Sequence, residues 1–188
     1  MRTSATGPDA GPVHVVVMGV SSTGKTLVGR RLAQALGAEF VEGDELHPQS
    51  NIDKMAAGTP LDDEDRWPWL ETIAERTREI GATGRSTVVT CSALKRSYRD
   101  VLRTAAADTF FVHLHSTFNL LAQRMREREG HFMPPALLQS QFETLEPLEE
   151  DEDGALVDVA VEPDEVVAAA LSALAGDPLP RPREASQD

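Results

Sequence analysis

The run Gly19-Val20-Ser21-Ser22-Thr23-Gly24-Lys25-Thr26 holds the most specific chemistry in the chain. A glycine, four intervening residues and then Gly-Lys-Thr let a backbone loop curl its N–H groups around a phosphate chain. In such a loop the Lys25 ammonium reaches β- and γ-phosphate oxygens, and the Thr26 hydroxyl ligates Mg²⁺. The expected nucleotide-binding set is therefore Gly19, Ser21, Ser22, Thr23, Gly24, Lys25, Thr26 and Leu27. The flanks agree with this use. Val13 to Met18 is an apolar, β-branched run that reads as a buried strand, and Leu27, Val28, Leu32 and Leu36 recur at helical spacing before Gly37.

Other groups gather at expected strand ends. Asp44 follows a short strand, at the carboxyl edge where open α/β sheets hold ligands. There it can take the proton of an attacking hydroxyl, or simply orient that hydroxyl, since phosphoryl-transfer transition states are loose. Glu42 sits two residues earlier on the same side, positioned for a Mg²⁺-bound water or for a plain surface role. The next strand ends in Cys91-Ser92 with no acidic residue, so Mg²⁺ is left to Thr26, the phosphates and waters, backed by Ser92 or Asp44. Arg124 and Arg128 stand one helical turn apart. They either close over the phosphates or pair with Glu127 and Glu129. His113 and His115 alternate on a strand without further ligands nearby, so no metal site is expected there. Cys91 reads as a packed thiol rather than a nucleophile.

Composition narrows the partners. With 31 acidic against 18 basic residues the chain carries a formal charge of −13, which disfavours nucleic acid. An anionic substrate then needs concentrated local positive charge. Lys25, Arg66, Lys95, Arg96, Arg99, Arg124 and Arg128 are the candidates, and lysine occurs only three times, at 25, 54 and 95. A lone cysteine excludes an intrachain disulfide and points to a reducing, cytoplasmic setting. No stretch is long and apolar enough for a membrane span.

These groups must be positioned by alternating β and α segments, which predict a doubly wound α/β fold with a five-stranded parallel sheet. Strands are expected at 13–18, 39–42, 86–90, 109–115 and 155–161. Helices are expected at 25–36, 67–80 (with Pro68 in its first turn), 97–106, 118–128, 136–145 and 164–174. Residues 1–12 read as a flexible lead, 13–175 as one domain and 176–188 as a disordered tail. Two inserts, about 45–65 and 128–137, suit an acceptor lobe and a water-excluding lid. The acidic run Glu149 to Asp153 reads as a solvated loop.

Outside the phosphate loop, several blocks resemble the gluconokinase family: Gly43-Asp44-Glu45-Leu46-His47-Pro48, Asn51 to Met55, Gly58-Thr59-Pro60-Leu61 and Asp65 to Leu70. Cys91 to Arg96, Tyr98-Arg99-Asp100, Gly130-His131-Phe132-Met133-Pro134 and Ser140-Gln141-Phe142-Glu143 extend the resemblance over about Val13 to Val167. It implies ATP- and Mg²⁺-dependent phosphorylation of D-gluconate on its 6-hydroxyl. It also implies an acceptor set of Asp44, His47, Asn51, Arg66, Ser92, Lys95, Arg96 and His131, with Lys25, Asp44, Arg124 and Arg128 in catalysis. Arg66 suits the carboxylate, and His47 and Asn51 the hydroxyls. Trp67 and Trp69 suit helix anchors, since gluconate has no ring to stack. Dimers are common in that family, but no surface stripe demands one. The sequence departs from the family at Ser22, where a third loop glycine is usual, and at His115-Ser116-Thr117. Shikimate or nucleoside monophosphate kinases share the plan but not the 43–70 blocks. A non-catalytic ATP-binding sensor is the rival outside the kinases.

Overall fold

Continuous apolar runs become the inner strands of a fully parallel sheet. The computed structural model describes residues 11–127 and 135–176. β1 (His14–Met18) leads through the glycine loop into α1 (Lys25–Leu36), then β2 (Glu39–Glu42), a short 3₁₀ turn at Gly43–Leu46, α2 (Gln49–Ala56) and α3 (Asp63–Ala82). β3 (Thr87–Thr90), α4 (Arg96–Arg103), β4 (Phe110–His115), α5 (Phe118–Glu127), α6 (Pro135–Thr144), β5 (Gly154–Asp158) and α7 (Pro163–Leu174) follow. The strand order is β2-β3-β1-β4-β5. Every residue of β1 and β3 is buried, as in sheets covered on both faces. α1 packs against α7, and α3 against α4. Because β1 pairs with β3 on one side and β4 on the other, the connections diverge at its carboxyl end and open a crevice there.

The expected strands and the doubly wound sheet are present, with ends shifted by a few residues. Two differences are larger. Residues 49–56 form α2, and α3 starts at Asp63 rather than Trp67. The earlier start follows from a capping box in which Asp62 accepts from the Asp65 N–H (3.0 Å) and Asp65 accepts from the Asp62 N–H (2.9 Å). Pro68 therefore lies beyond the first turn of α3.

The acidic run is not wholly solvated either. The Glu152 side chain is completely buried against Arg99 (2.6 Å). Arg99 also donates to the carbonyls of Ala93 (3.2 Å), Glu146 (3.1 Å) and Pro147 (3.1 Å). This arginine ties α4 to the segment entering β5 and supplies no charge to a ligand site. Except for residues 11, 12 and 176, the lead and tail lie outside the described residues, as does 128–134 of the expected lid. Among the described residues no helix is long and apolar enough to cross a membrane.

Candidate active site

A cavity of about 450 Å³ opens at the carboxyl end of the sheet. One wall is the phosphate loop. Gly19 adopts φ +134, and a Cβ there would lie 2.3 Å from the Leu114 carbonyl oxygen, so only glycine fits against β4. Ser22 takes the left-handed conformation (φ 66), the geometry expected where the family usually places glycine, here borne by a residue with a Cβ. Lys25 Nζ donates to the carbonyls of Gly19 (3.1 Å) and Val20 (3.0 Å), folding back over its own loop. The Thr26 hydroxyl has no hydrogen-bond partner among the described residues, and Leu27 is 44% exposed at the start of α1.

Asp44 enters the cavity from the turn after β2, and Ser92 from the end of β3. Gly43 packs so tightly on β3 that an added Cβ would stand 2.0 Å from the Thr90 carbonyl oxygen. The Trp69 indole N–H donates to the Gly43 carbonyl at 2.7 Å, so the expected helix anchor also fixes the turn that presents Asp44. Glu42 accepts a hydrogen bond from the Thr90 hydroxyl, a contact that ties β2 to β3.

The opposite wall comes from α2 and the start of α3. The His47 ring stacks on Trp69 at 3.9 Å. Burial pushes its pKa down to about 4, Asp44 pulls the other way, and Arg66 adds to the fall, so the ring is neutral at neutral pH. Asn51 is buried behind it. Its Nδ2 donates to the Asp65 carbonyl at 2.8 Å and stands 3.2 Å from His47 Nδ1. Nδ1 is then the acceptor, and Nε2 carries the proton. Asn51 thus sets the His47 tautomer and does not itself line the cavity. Arg66 does line it, 7% exposed, with its Nε donating to the Leu61 carbonyl at 3.3 Å and no carboxylate paired to it among the described residues. Ile52, Met55, Ala56, Pro60 and Leu61 complete this apolar side, and Leu137, Ser140 and Gln141 close the cavity from α6.

Residues 15–148 match the family model described as an AAA domain. The gluconokinase of Gluconobacter oxydans (strain 621H) is 49% identical over 156 residues, which cover 83% of this chain and 88% of that protein. The chain belongs to the gluconokinase family. The thermosensitive gluconokinase of Escherichia coli (strain K12) is 45% identical over 145 residues, covering 77% and 78% of the two chains. A crystal structure of a gluconokinase from Sinorhizobium meliloti 1021 aligns with a TM-score of 0.80 at 52% identity, over 88% of this chain and 93% of that one.

Within this gluconokinase frame, six expected site residues share the cavity: Ser21, Lys25, Asp44, His47, Arg66 and Ser92. Besides Asn51, two expected acceptor residues, Lys95 and Arg96, do not reach it. Lys95 is 2.7 Å from Asp63, and its ammonium lies over the Tyr98 ring. Arg96 is held by Asp100 (3.1 Å), Glu149 (3.0 Å) and Asp151 (2.8 Å). Both cations follow the end of β3, but the acidic side chains around them turn them away. Arg124 donates to the Val159 carbonyl at 2.7 Å, beyond β5 and away from the cavity lining. Arg128 and His131 lie outside the described residues. The sequence put Leu137 at the end of the expected lid and Ser140-Gln141 in a block that resembles the family, without naming them as site residues. Their spacing, i, i+3 and i+4, was the available signal that they share one helix face.

Proposed function

We propose that this chain transfers the γ-phosphoryl group of ATP to the 6-hydroxyl of D-gluconate, releasing 6-phosphogluconate and ADP. The observation that carries this assignment is Arg66, a nearly buried guanidinium that feels the Asp63 charge but makes no direct ion pair with a carboxylate among the described residues, in the same cavity as the phosphate loop. A planar fork of donors suits a carboxylate. An open-chain acid with its carboxylate at one end and a primary hydroxyl at the other can span from Arg66 towards the loop. His47 Nε2–H and the Ser92 hydroxyl offer hydrogen bonds to the intervening hydroxyls, and Asp44 accepts from the attacking one. The sequence-derived nucleotide set, Gly19 and Ser21 to Leu27, cradles the triphosphate. Arg124 and Arg128 remain candidates for closure over it.

The donor set suits Mg²⁺ delivered on the nucleotide. Among the described residues the Thr26 hydroxyl has no partner, and no group of three His, Cys, Asp or Glu forms a protein cage for a metal. Bound there by Thr26 and phosphate oxygens, the ion supplies charge neutralisation. Cys91 is a fully buried free thiol whose pKa burial pushes up to about 12, which suits a cytoplasmic enzyme needing no thiol chemistry.

ADP release with ATP and Mg²⁺ tests the assignment across gluconate, glucose, shikimate and nucleoside monophosphates. D-gluconate should give the highest kcat/KM, because glucose leaves Arg66 without its anion. Comparable turnover of glucose or shikimate would overturn the assignment, and so would gluconate binding without ADP release.

A further inference from the structure

Gln141 projects from α6 onto the phosphate loop, where its Oε1 accepts a hydrogen bond from the Ser21 N–H at 2.7 Å. This bond fixes the orientation of the carboxamide. An N–H can only donate, so the oxygen must face Ser21 and the Nε2 amide must face elsewhere. Gln141 lines the cavity with Ser21, Lys25 and Asp44, and its Nε2 donates to nothing among the described residues. Two amide hydrogens are therefore presented at the site with no acceptor among the described residues.

The helix behind Gln141 is firmly seated. Leu138 is 0% exposed, Leu137 is 5% exposed, and Phe142 meets Phe118 edge-on at 5.5 Å. Beyond the helix end, the Glu146 N–H donates to the Leu94 carbonyl at 2.7 Å. Leu137, Ser140 and Gln141 form the one face of α6 that meets the cavity. A rigid helix presenting a pre-oriented amide is a better positioning device than a mobile loop.

We propose that Gln141 is an acceptor-binding residue, held by the Ser21 N–H while its Nε2–H₂ group donates to an oxygen of the bound sugar acid. The proposal rests on the assignment of the cavity to phosphoryl transfer. It makes α6 a third wall of the acceptor site and links acceptor binding directly to the phosphate loop.

Steady-state kinetics of Gln141→Met and Gln141→Glu test it. Methionine keeps the length and removes both polar ends. Glutamate keeps an oxygen for Ser21 and removes the donors. Loss of a donor to a buried oxygen should raise the KM for gluconate about tenfold in both variants. In Gln141→Met the KM for ATP should stay within about twofold of wild type. A wild-type KM for gluconate in Gln141→Glu would reduce Gln141 to a latch between α6 and the loop and overturn the proposal. An unchanged gluconate KM in Gln141→Met, or an equal rise in both KM values, would also overturn it. Failure of the gluconate assignment itself would show in the wild-type acceptor panel, and the variant ratios would then be read with the preferred acceptor.

Discussion

Arg66 shows how burial turns a common residue type into a specific one. A guanidinium taken from water without a paired carboxylate is costly, and a cavity that supplies the anion recovers that cost on binding. Arg66→Ala should therefore raise the KM for gluconate at least tenfold and leave the KM for ATP within about twofold. Arg66→Lys should recover little, because a point charge does not reproduce the bidentate fork. Asp44→Asn keeps shape and removes charge, so stopped-time ADP assays should show kcat lower by about 10²-fold or more for a general base. A fall of only a few-fold would assign Asp44 to orientation. Lys25→Ala should cost roughly 3–4 kcal/mol of transition-state stabilisation, several hundredfold in kcat/KM, with the fold intact. The types and spacing of Lys25 and Asp44 made them legible in the sequence. The neutral state of His47 was not, since it depends on Trp69 and Asn51 packed around the ring.

At the scale of elements, capping and pairing explain where the expected boundaries moved. The Asp62–Asp65 box starts α3 early, and Lys54 binds both carboxylates from α2, joining the two helices of that cavity wall. The same region read as a loop in sequence because its apolar residues are few. α2 contributes Ile52, Met55 and Ala56 to the cavity instead of to a core. The Arg99–Glu152 pair is a long-range tie outside the site, with both side chains fully buried. Burial opposes the charge on Glu152, yet Arg99 and the Glu149 N–H hold its carboxyl below the usual range. Glu152→Gln removes one partner and leaves a buried guanidinium uncompensated, which should cost about 3–5 kcal/mol. Thermal denaturation should show a midpoint lower by roughly 10 °C. Well below that midpoint kcat/KM should be close to wild type, because neither residue lines the cavity.

Across the whole molecule, the 13 excess negative charges and the buried histidines set the response to acid. His113 lies inside β4 with both ring nitrogens unpartnered among the described residues, and burial, with His115 and Arg99 adding, pushes its pKa down to about 4. The folded chain then resists a proton that the unfolded chain accepts below about 6.5. Stability is full above that pH and falls as pH drops to about 4, by an amount on the order of 3 kcal/mol for this group. Melting temperatures measured from pH 7.5 to 4.5 should decline, and His113→Leu should flatten the decline without loss at pH 7.5. An unchanged slope in that variant would assign the acid response to other groups, His47 among them. What the sequence by itself determined was local or periodic. The phosphate loop is eight contiguous residues, the strands are continuous apolar runs, and their alternation with helices permits few topologies. What only the tertiary structure decided was which of many similar cations reaches the cavity. Lys95, Arg96 and Arg99 are taken by Asp63, Asp151 and Glu152, which lie 32, 55 and 53 positions away in the chain. Arg66 is left facing the cavity, and Gln141 reaches Ser21 across 120 positions. The physical reason is that a charge or an amide acts through whatever lies within a few ångströms of it, and folding chooses those neighbours with little regard to distance along the chain.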